Sequence, residues 1–214
     1  LRKKSVVAAV YIVLRLLVIL MMVAQFFNGN FENVFLCILT LILFLLPTIF
    51  VFFLQIDLPN ALEIIILLFI FAAEILGEIR AFYTTFAYWD TMLHTINGFL
   101  CAAIGFSLVD MCNRNKRVSL SLSPVYMAIV AFCFSMTIGV LWEFFEFGMD
   151  FFFHTDMQKD TVINAVYTVA LDPTRTNKVV AIKGIQHVLI NGQSLGLGGY
   201  LDIGIIDTMK DLFV

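Results

Sequence analysis

The chain has 214 residues, of which 61% are hydrophobic and 14% charged, and its formal net charge is −3. A soluble domain has roughly 45–50% apolar and about 25% charged residues, so this composition excludes a protein whose whole surface faces water. The sequence also lacks a basic patch with interleaved aromatic residues, which excludes nucleic acid as a partner.

Five stretches contain the roughly 20 consecutive, largely apolar residues that a membrane-spanning helix needs. They comprise residues 5–27, 33–54, 60–82, 88–111 and 124–153. A sixth span is predicted to begin near Ile205 and to be truncated at Val214, and we expect that residues also precede Leu1. Pro47, inside the second stretch, is expected to kink its helix. These features predict an all-α polytopic membrane protein with about six transmembrane helices.

Basic residues near the ends of the spans predict the orientation of the chain, because cytoplasmic loops are enriched in Lys and Arg. One group, Arg2–Lys4, precedes the first span, and a second, Arg114–Arg117, lies between the fourth and fifth spans. An even number of predicted crossings separates the two groups, so both face the same side of the membrane. The prediction is a multi-pass protein of the bacterial cytoplasmic (inner) membrane with its N-terminus in the cytoplasm.

The orientation predicts three parts, namely transmembrane helices 1–5 in residues 1–153, an extracytoplasmic loop in residues 154–204 and the start of helix 6 in residues 205–214. Within the loop, the segment KVVAIKGIQHVLINGQSL alternates in polarity and is rich in β-branched residues. Its turn signals are Gly184 and the pair Asn191 and Gly192. The pattern is typical of one or two short β-hairpins.

Four predicted spans carry two acidic residues, or an acid and a histidine, three or four positions apart. Residues at that spacing share one face of a helix, and the alternating direction of the spans brings every pair to the outer leaflet. The pairs are Glu74 with Glu78, Asp90 with His94, Glu143 with Glu146, and Asp207 with Asp211. We therefore predict one shared cluster near the extracytoplasmic face. The alternative is that these side chains lie separately at headgroup depth, where water solvates them.

Charge balance predicts what such a cluster binds. An ionised side chain inside a span costs about 2.5–3.5 kcal/mol on insertion scales, and like charges packed together must share protons or bind a cation. Carboxylate oxygens with one imidazole suit Mg²⁺, Mn²⁺, Ca²⁺ or Zn²⁺. The predicted metal ligands are Asp90, His94, Glu143, Glu146, Asp207 and Asp211. Among these, the predicted catalytic residues are Glu143, Glu146 and His94.

Further polar residues are predicted to support this site. The set comprises Glu74, Glu78, Arg80, Asn97, Asp150 and Lys210. Arg15 lies near the middle of the first span, where a charged group needs a partner at the same depth. We predict a structural ion pair between Arg15 and Glu74.

Three segments, WDTMLHTINGF, LWEFFEF and GGYLDIGIIDTMKDL, resemble the YjdF-like family of bacterial integral membrane proteins, which is related by fold to the VanZ-like group. The resemblance covers about residues 60–214 and implies a multi-spanning helical protein of the bacterial cytoplasmic membrane. It maps the recurring acid and histidine positions of the family onto the six predicted ligands. Distant VanZ-like relatives are associated with lowered sensitivity to glycopeptide antibiotics, which implies a role in the cell envelope.

Three functions stay open at this point. The first is a metal-dependent hydrolase or transferase acting on an envelope lipid or lipid-linked substrate. The second is a non-catalytic membrane scaffold or partner protein in which the polar cluster is structural, and the third is an ion- or proton-coupled transporter. Membrane lipids are the predicted partners. The sequence decides neither the substrate, the metal, the oligomeric state nor a protein partner, nor whether the chain is an enzyme.

Overall fold

The computed structural model describes residues 2–54, 59–114 and 122–214. The chain forms two compact units, one up to Ile138 and one from Gly139 to Phe213. Lys116 and Arg117, two of the cations on which the predicted orientation depends, lie outside the described residues.

Helices make up the first unit. Their bounds are α1 Arg2–Phe27, α2 Phe31–Leu43, α3 Leu46–Leu54, α4 Asn60–Phe71, a π-helix Ala72–Ile79, α5 Phe82–Thr85, α6 Trp89–Arg114 and α7 Pro124–Phe153, the last of which continues into the second unit. Local sequence features explain where two of these helices begin. The side chain of Asn30 caps α2 by accepting a hydrogen bond from the backbone N–H of Asn33 at 3.2 Å. Pro124 occupies the first helical position of α7, where its missing N–H costs nothing.

Four helical runs among the described residues are long and apolar enough to cross a membrane. They are Val6–Phe27, Phe31–Ile49, Trp89–Asn113 and Pro124–Phe153. Only 11% of the first run is buried, so most of its apolar surface faces outward and needs lipid to cover it. Four of the six predicted spans are therefore confirmed in length and composition, while the third and the sixth stay predictions.

The second and third predicted spans are both interrupted. The second divides at Phe44 and Leu45, just before Pro47, because a proline ring cannot donate a backbone hydrogen bond and disturbs the preceding turn. The third changes at Ala72 from an α-helix to a π-helix, in which hydrogen bonds join residues five apart.

The core of the first unit lies between α1, α2, α4 and the π-helix. Its buried side chains are Leu14, Val18, Cys37, Phe44, Ile66, Leu67, Ile70, Ile75 and Leu100. The first part of α7 packs closely on α6, where the hydroxyl of Ser135 donates to the carbonyl of Gly98 at 2.9 Å. Gly105 faces Phe134 so closely that a Cβ atom there would lie 2.9 Å from the Phe134 Cβ. Small residues thus allow two apolar helices to approach.

The second unit combines the end of α7 with three antiparallel strand pairs and a last helix. The pairs are β1 Val162–Ile163 with β6 Tyr200–Leu201, β2 Ala165–Thr168 with β3 Val180–Lys183, and β4 Leu189–Ile190 with β5 Gln193–Ser194, and helix α8 spans Ile205–Phe213. Asn191 and Gly192 join β4 to β5 with φ angles of 52° and 83°, which confirms the predicted hairpin turn. No hairpin forms at Gly184, because β3 pairs with the upstream strand β2 instead.

Candidate functional site

Asp90 and His94 lie together at the start of α6. Asp90 Oδ1 is 3.6 Å from His94 Nε2, and their side chains are 29% and 14% exposed. The helical period dictates this proximity, because residues four apart lie one above the other. Asp90 also belongs to the first turn of α6, where the positive end of the helix dipole stabilises a carboxylate. The pair therefore presents one oxygen and one nitrogen to the same space.

The separation of these two atoms fits metal coordination. Two ligands at about 2.1 Å from a tetrahedral ion are about 3.4 Å apart, and around an octahedral ion they are about 3.0 Å apart. The observed 3.6 Å is close to the tetrahedral value. A carboxylate beside an imidazole is also the arrangement that orients a histidine as an acid or base. Both chemistries are accessible to Asp90 and His94.

Aromatic side chains flank the pair on its N-terminal side. The Trp89 ring lies edge-on to Phe82 with centroids 4.9 Å apart, and Phe82 packs on Phe86 at 4.7 Å. Together with Tyr88 they line a recess of about 450 Å³. This open recess offers aromatic surface to a hydrocarbon chain.

Asn97, predicted on the same helical stripe, makes its contact elsewhere. Its Oδ1 atom accepts a hydrogen bond from the thiol of Cys101 at 3.6 Å, one turn further along α6. The side chain of Asn97 is thus used within its own helix.

The π-helix carries the next predicted residues in different environments. Glu74 is half-buried, whereas Glu78 and Arg80 are exposed. The segment ends in tight packing, because a Cβ atom on Gly77 would overlap the ring of Tyr83. Ala81, which follows, has a left-handed backbone with φ of 56°. Unusual backbone geometry of this kind often occurs at functional sites.

The predicted ion pair between Arg15 and Glu74 is not formed within the described residues. The Arg15 guanidinium lies instead over the ring of Tyr11, with its Cζ atom 4.2 Å from the ring centroid. Its buried Nε atom has no hydrogen-bond partner in the described part of the chain. The helical period explains the correction, since Tyr11 is four residues before Arg15 and reaches it without any contact between helices.

Glu143 and Glu146 are buried in the second unit. They are 4% and 8% exposed, and they lie three residues apart on one face of α7. The indole Nε1 of Trp142 donates to Glu146 Oε1 at 2.8 Å. Buried carboxylates inside a predicted span are expensive and mark functional positions.

Asp150, one turn beyond Glu146, holds the chain after the helix ends. Its Oδ1 atom accepts from the backbone N–H of Met157 at 2.6 Å and from the Thr155 hydroxyl at 2.8 Å. Its Oδ2 atom accepts from the backbone N–H of Gln158 at 2.9 Å. Both carboxylate oxygens are therefore used to fold the following segment, residues 155–161, which we call the strap.

The start of α8 holds the other end of the strap. Asp207 Oδ2 accepts from the backbone N–H of Lys159 at 2.7 Å, and the Gln158 amide donates to the Thr208 hydroxyl at 2.6 Å. Asp211, one turn after Asp207, is half-buried and Lys210 is exposed. Asp207 thus has one oxygen occupied by the strap.

Asp202 has a structural role that its place in the sequence pattern does not predict. Its Oδ1 atom accepts from Thr161 N at 2.7 Å, and its Oδ2 atom accepts from Ile206 N at 2.8 Å in the first turn of α8. Burial raises the pKa of Asp202, but these backbone donors outweigh burial and the pKa is lower than usual. An acid shortly before a helix start is the signal that would have found it.

Asp172 forms a second unpredicted anchor in the loop DPTRTNK. It is 6% exposed and accepts from the Thr174 hydroxyl at 2.6 Å and from the backbone N–H of Thr176 at 2.9 Å. The Thr174 hydroxyl bond, followed by the backbone donors, lowers the pKa of Asp172 well below its usual value. The sequence Asp-Pro-Thr is typical of such a turn.

Comparison with known proteins gives one family. A family model described as "Predicted membrane protein (DUF2238)" matches residues 9–214. No curated protein and no solved structure matches the chain. The family agrees with the apolar helices in indicating a membrane protein.

Proposed function

We infer a function for this chain, which belongs to the DUF2238 family of predicted membrane proteins. It is a multi-pass membrane protein in contact with lipid. Within that family we assign it as a cation-dependent hydrolase or transferase. Its substrate is an envelope lipid or lipid-linked molecule at the outer face of the bacterial inner membrane. The YjdF-like and VanZ-like resemblance implies the bacterial cytoplasmic membrane, and the predicted direction of the spans implies its outer face.

The observation that carries the proposal is the Asp90–His94 pair. Its oxygen and nitrogen are 3.6 Å apart, a separation suited to two ligands of one divalent ion. When bound, such an ion polarises a phosphoryl or acyl oxygen and lowers the pKa of water. The aromatic recess, to which the neighbouring residue Trp89 contributes, would accommodate the hydrocarbon part of the substrate.

Two of the predicted catalytic residues, Glu143 and Glu146, are buried carboxylates of the second unit. Glu143 and Glu146 are shielded from water, and buried acids inside a membrane span are candidates for functional residues. We assign Glu143 as the general base and Glu146, which the Trp142 indole holds in place, as its positioned neighbour. Asp207 and Asp211 stay predicted ligands of the cation.

Elemental analysis tests the cation. The protein is purified in detergent without chelator, and divalent metals are quantified for wild type, Asp90→Asn and His94→Gln. We expect about one ion per wild-type chain and at least tenfold less in either variant, since outer-shell changes alone already cost roughly 10–100-fold in affinity. Asp110→Asn, the same change near the other end of α6, is the matched control and should retain the metal. Equal metal content in all four proteins would refute the assignment.

A lipid assay tests the reaction. Purified protein in mixed micelles is incubated with a panel of envelope lipids, and products are separated by mass spectrometry with and without added metal. General-base catalysis contributes about 10²–10⁴-fold, so Glu143→Gln should lower the rate by at least about 100-fold. Equal product formation by wild type and Glu143→Gln, or none by either across the panel, counts against an enzyme.

The scaffold alternative is favoured by one specific observation. The carboxylates of Asp150, Asp202 and Asp207 accept backbone N–H groups of the strap, so their role is met by folding alone. If the scaffold is correct, purified wild type contains no stoichiometric metal. Asp150→Ala then lowers thermal stability as much in chelator as in added metal. A metal-dependent difference between those two measurements contradicts it.

A further inference from the structure

The β2–β3 ribbon of the second unit exposes an apolar surface. Tyr167 in β2 is 62% exposed, and three residues of the loop that connects β2 to β3, Val169, Leu171 and Val179, are 47%, 55% and 58% exposed. Large apolar side chains grouped on one short ribbon mark an interaction surface. We call these four residues the ribbon patch.

Within residues 165–183, the exposed charged side chains are all positive. Arg175, Lys178 and Lys183 are exposed, and the Lys183 ammonium lies 5.8 Å from the centroid of the Tyr167 ring, on the same face. Asp172 is the single acid in residues 165–183, and the Thr174 and Thr176 donors hold its buried carboxylate within the loop. The ribbon therefore presents aromatic, aliphatic and cationic groups together, with its negative charge turned inward.

We propose that the ribbon patch docks on the anionic headgroup layer of the membrane in which the chain is embedded. Tyrosine and lysine are the side chains that lie at a lipid–water boundary, since each has an apolar body and a polar tip. Basic residues near an anionic surface contribute about fivefold each to its binding. The ribbon follows α7, a helix able to span the membrane, by only 11 residues, so lipid is within reach of the chain. This inference concerns binding and is independent of the proposed reaction.

Fluorescence in lipid nanodiscs tests the inference. The chain has two tryptophans, so Tyr167→Trp in a Trp89→Phe, Trp142→Phe background reports from the patch alone. Discs contain either a phosphatidylcholine bilayer or the same bilayer with phosphatidylglycerol. Quenching by aqueous acrylamide and by brominated lipid is measured in each. Gln193→Trp, at an exposed position in β5, is the matched control.

We expect the probe at position 167 to be at least about threefold less accessible to acrylamide in anionic discs than the probe at position 193. Brominated lipid should quench it, and roughly 1 M salt should abolish the difference by screening. The charge reversals Lys178→Glu and Lys183→Glu should also remove it, whereas Lys210→Glu on α8 should not. Hydrogen exchange of residues 165–183 in the wild-type chain gives the same comparison without tryptophan substitutions.

Two results would overturn the inference. Equal acrylamide accessibility at positions 167 and 193 in anionic discs means that the patch faces water. Shielding at position 167 that is the same in both disc types and insensitive to brominated lipid assigns the patch to a protein surface instead.

Discussion

Replacing Gly105 by alanine should separate α6 from α7. The added Cβ atom would lie 2.9 Å from both Cβ and Cδ1 of Phe134, closer than van der Waals contact allows. Overpacking of this kind costs about 1–3 kcal/mol. In a helix interior, alanine is more favourable than glycine by about 0.8–1.0 kcal/mol. The free energy of unfolding of Gly105→Ala should therefore be lower than that of wild type by about 0–2 kcal/mol.

Gly148→Ala is the matched control, because the same substitution in α7 meets no atom within 4 Å. Only the propensity gain applies there, so this variant should be more stable than wild type by up to about 1 kcal/mol. The difference between the two variants cancels propensity and isolates the clash, which is about 1–3 kcal/mol. Phe134→Ala removes the ring atoms but not the Cβ atom, so it relieves part of the clash. The double variant Gly105→Ala, Phe134→Ala should therefore be about 1 kcal/mol more stable than the sum of the two single effects predicts.

Reversible unfolding in mixed micelles with increasing sodium dodecyl sulfate measures these free energies, with helicity followed by circular dichroism. The expected order of stability is Gly148→Ala, wild type, then Gly105→Ala. Gly105→Ala as stable as Gly148→Ala would refute the close approach of α6 and α7.

Three further predictions concern the second unit. Asp202→Ala should lower the free energy of unfolding at pH 7 by about 1–3 kcal/mol, since backbone donors lose a charged acceptor. The pKa of Asp202 is lowered in the folded state. The ionised carboxylate therefore stabilises the fold above the usual Asp pKa of about 3.9, and this stabilisation is lost as the pH falls through the pKa of the folded state. The difference in unfolding free energy between wild type and Asp202→Ala should accordingly shrink at about pH 3. The pKa of Asp160 is raised, first by desolvation and then by repulsion from Asp156 and other acids. The ionised side chain therefore destabilises the folded state as the pH rises. Asp160→Asn should raise Tm at pH 7 and leave Tm unchanged at about pH 3. Gly192→Val should increase hydrogen exchange in β4 and β5, because a φ of 83° strains a β-branched residue; unchanged exchange would argue against the turn.

Some of the candidate site follows from the sequence because it is local. The Asp90–His94 contact needs only that both residues lie on one helix, since the α-helical period places positions four apart together. The hairpin at Asn191 and Gly192 follows in the same way from two residues that tolerate positive φ. Neither feature depends on what the rest of the chain does.

Other residues could not be assigned from the sequence, because their partners are distant along the chain. Asp207 bonds to the backbone of Lys159, which is 48 residues earlier, and Asp202 bonds to Thr161, 41 residues earlier. The identity of an acidic residue does not show whether its carboxylate binds a cation or accepts a hydrogen bond from a backbone N–H. The sequence pattern therefore indicates no role for Asp202 and predicts Asp207 only as a metal ligand.

The amino-acid order by itself determined the solvent of this protein and the position of four long helices, because hydropathy over about 20 residues is a property of each segment alone. Only the tertiary structure decided where the backbone changes to a π-helix, which strand pairs with β3 and which carboxylates accept hydrogen bonds from the strap. These outcomes depend on which surfaces pack together, and packing is set by the shape and hydrogen-bonding needs of segments far apart in the chain.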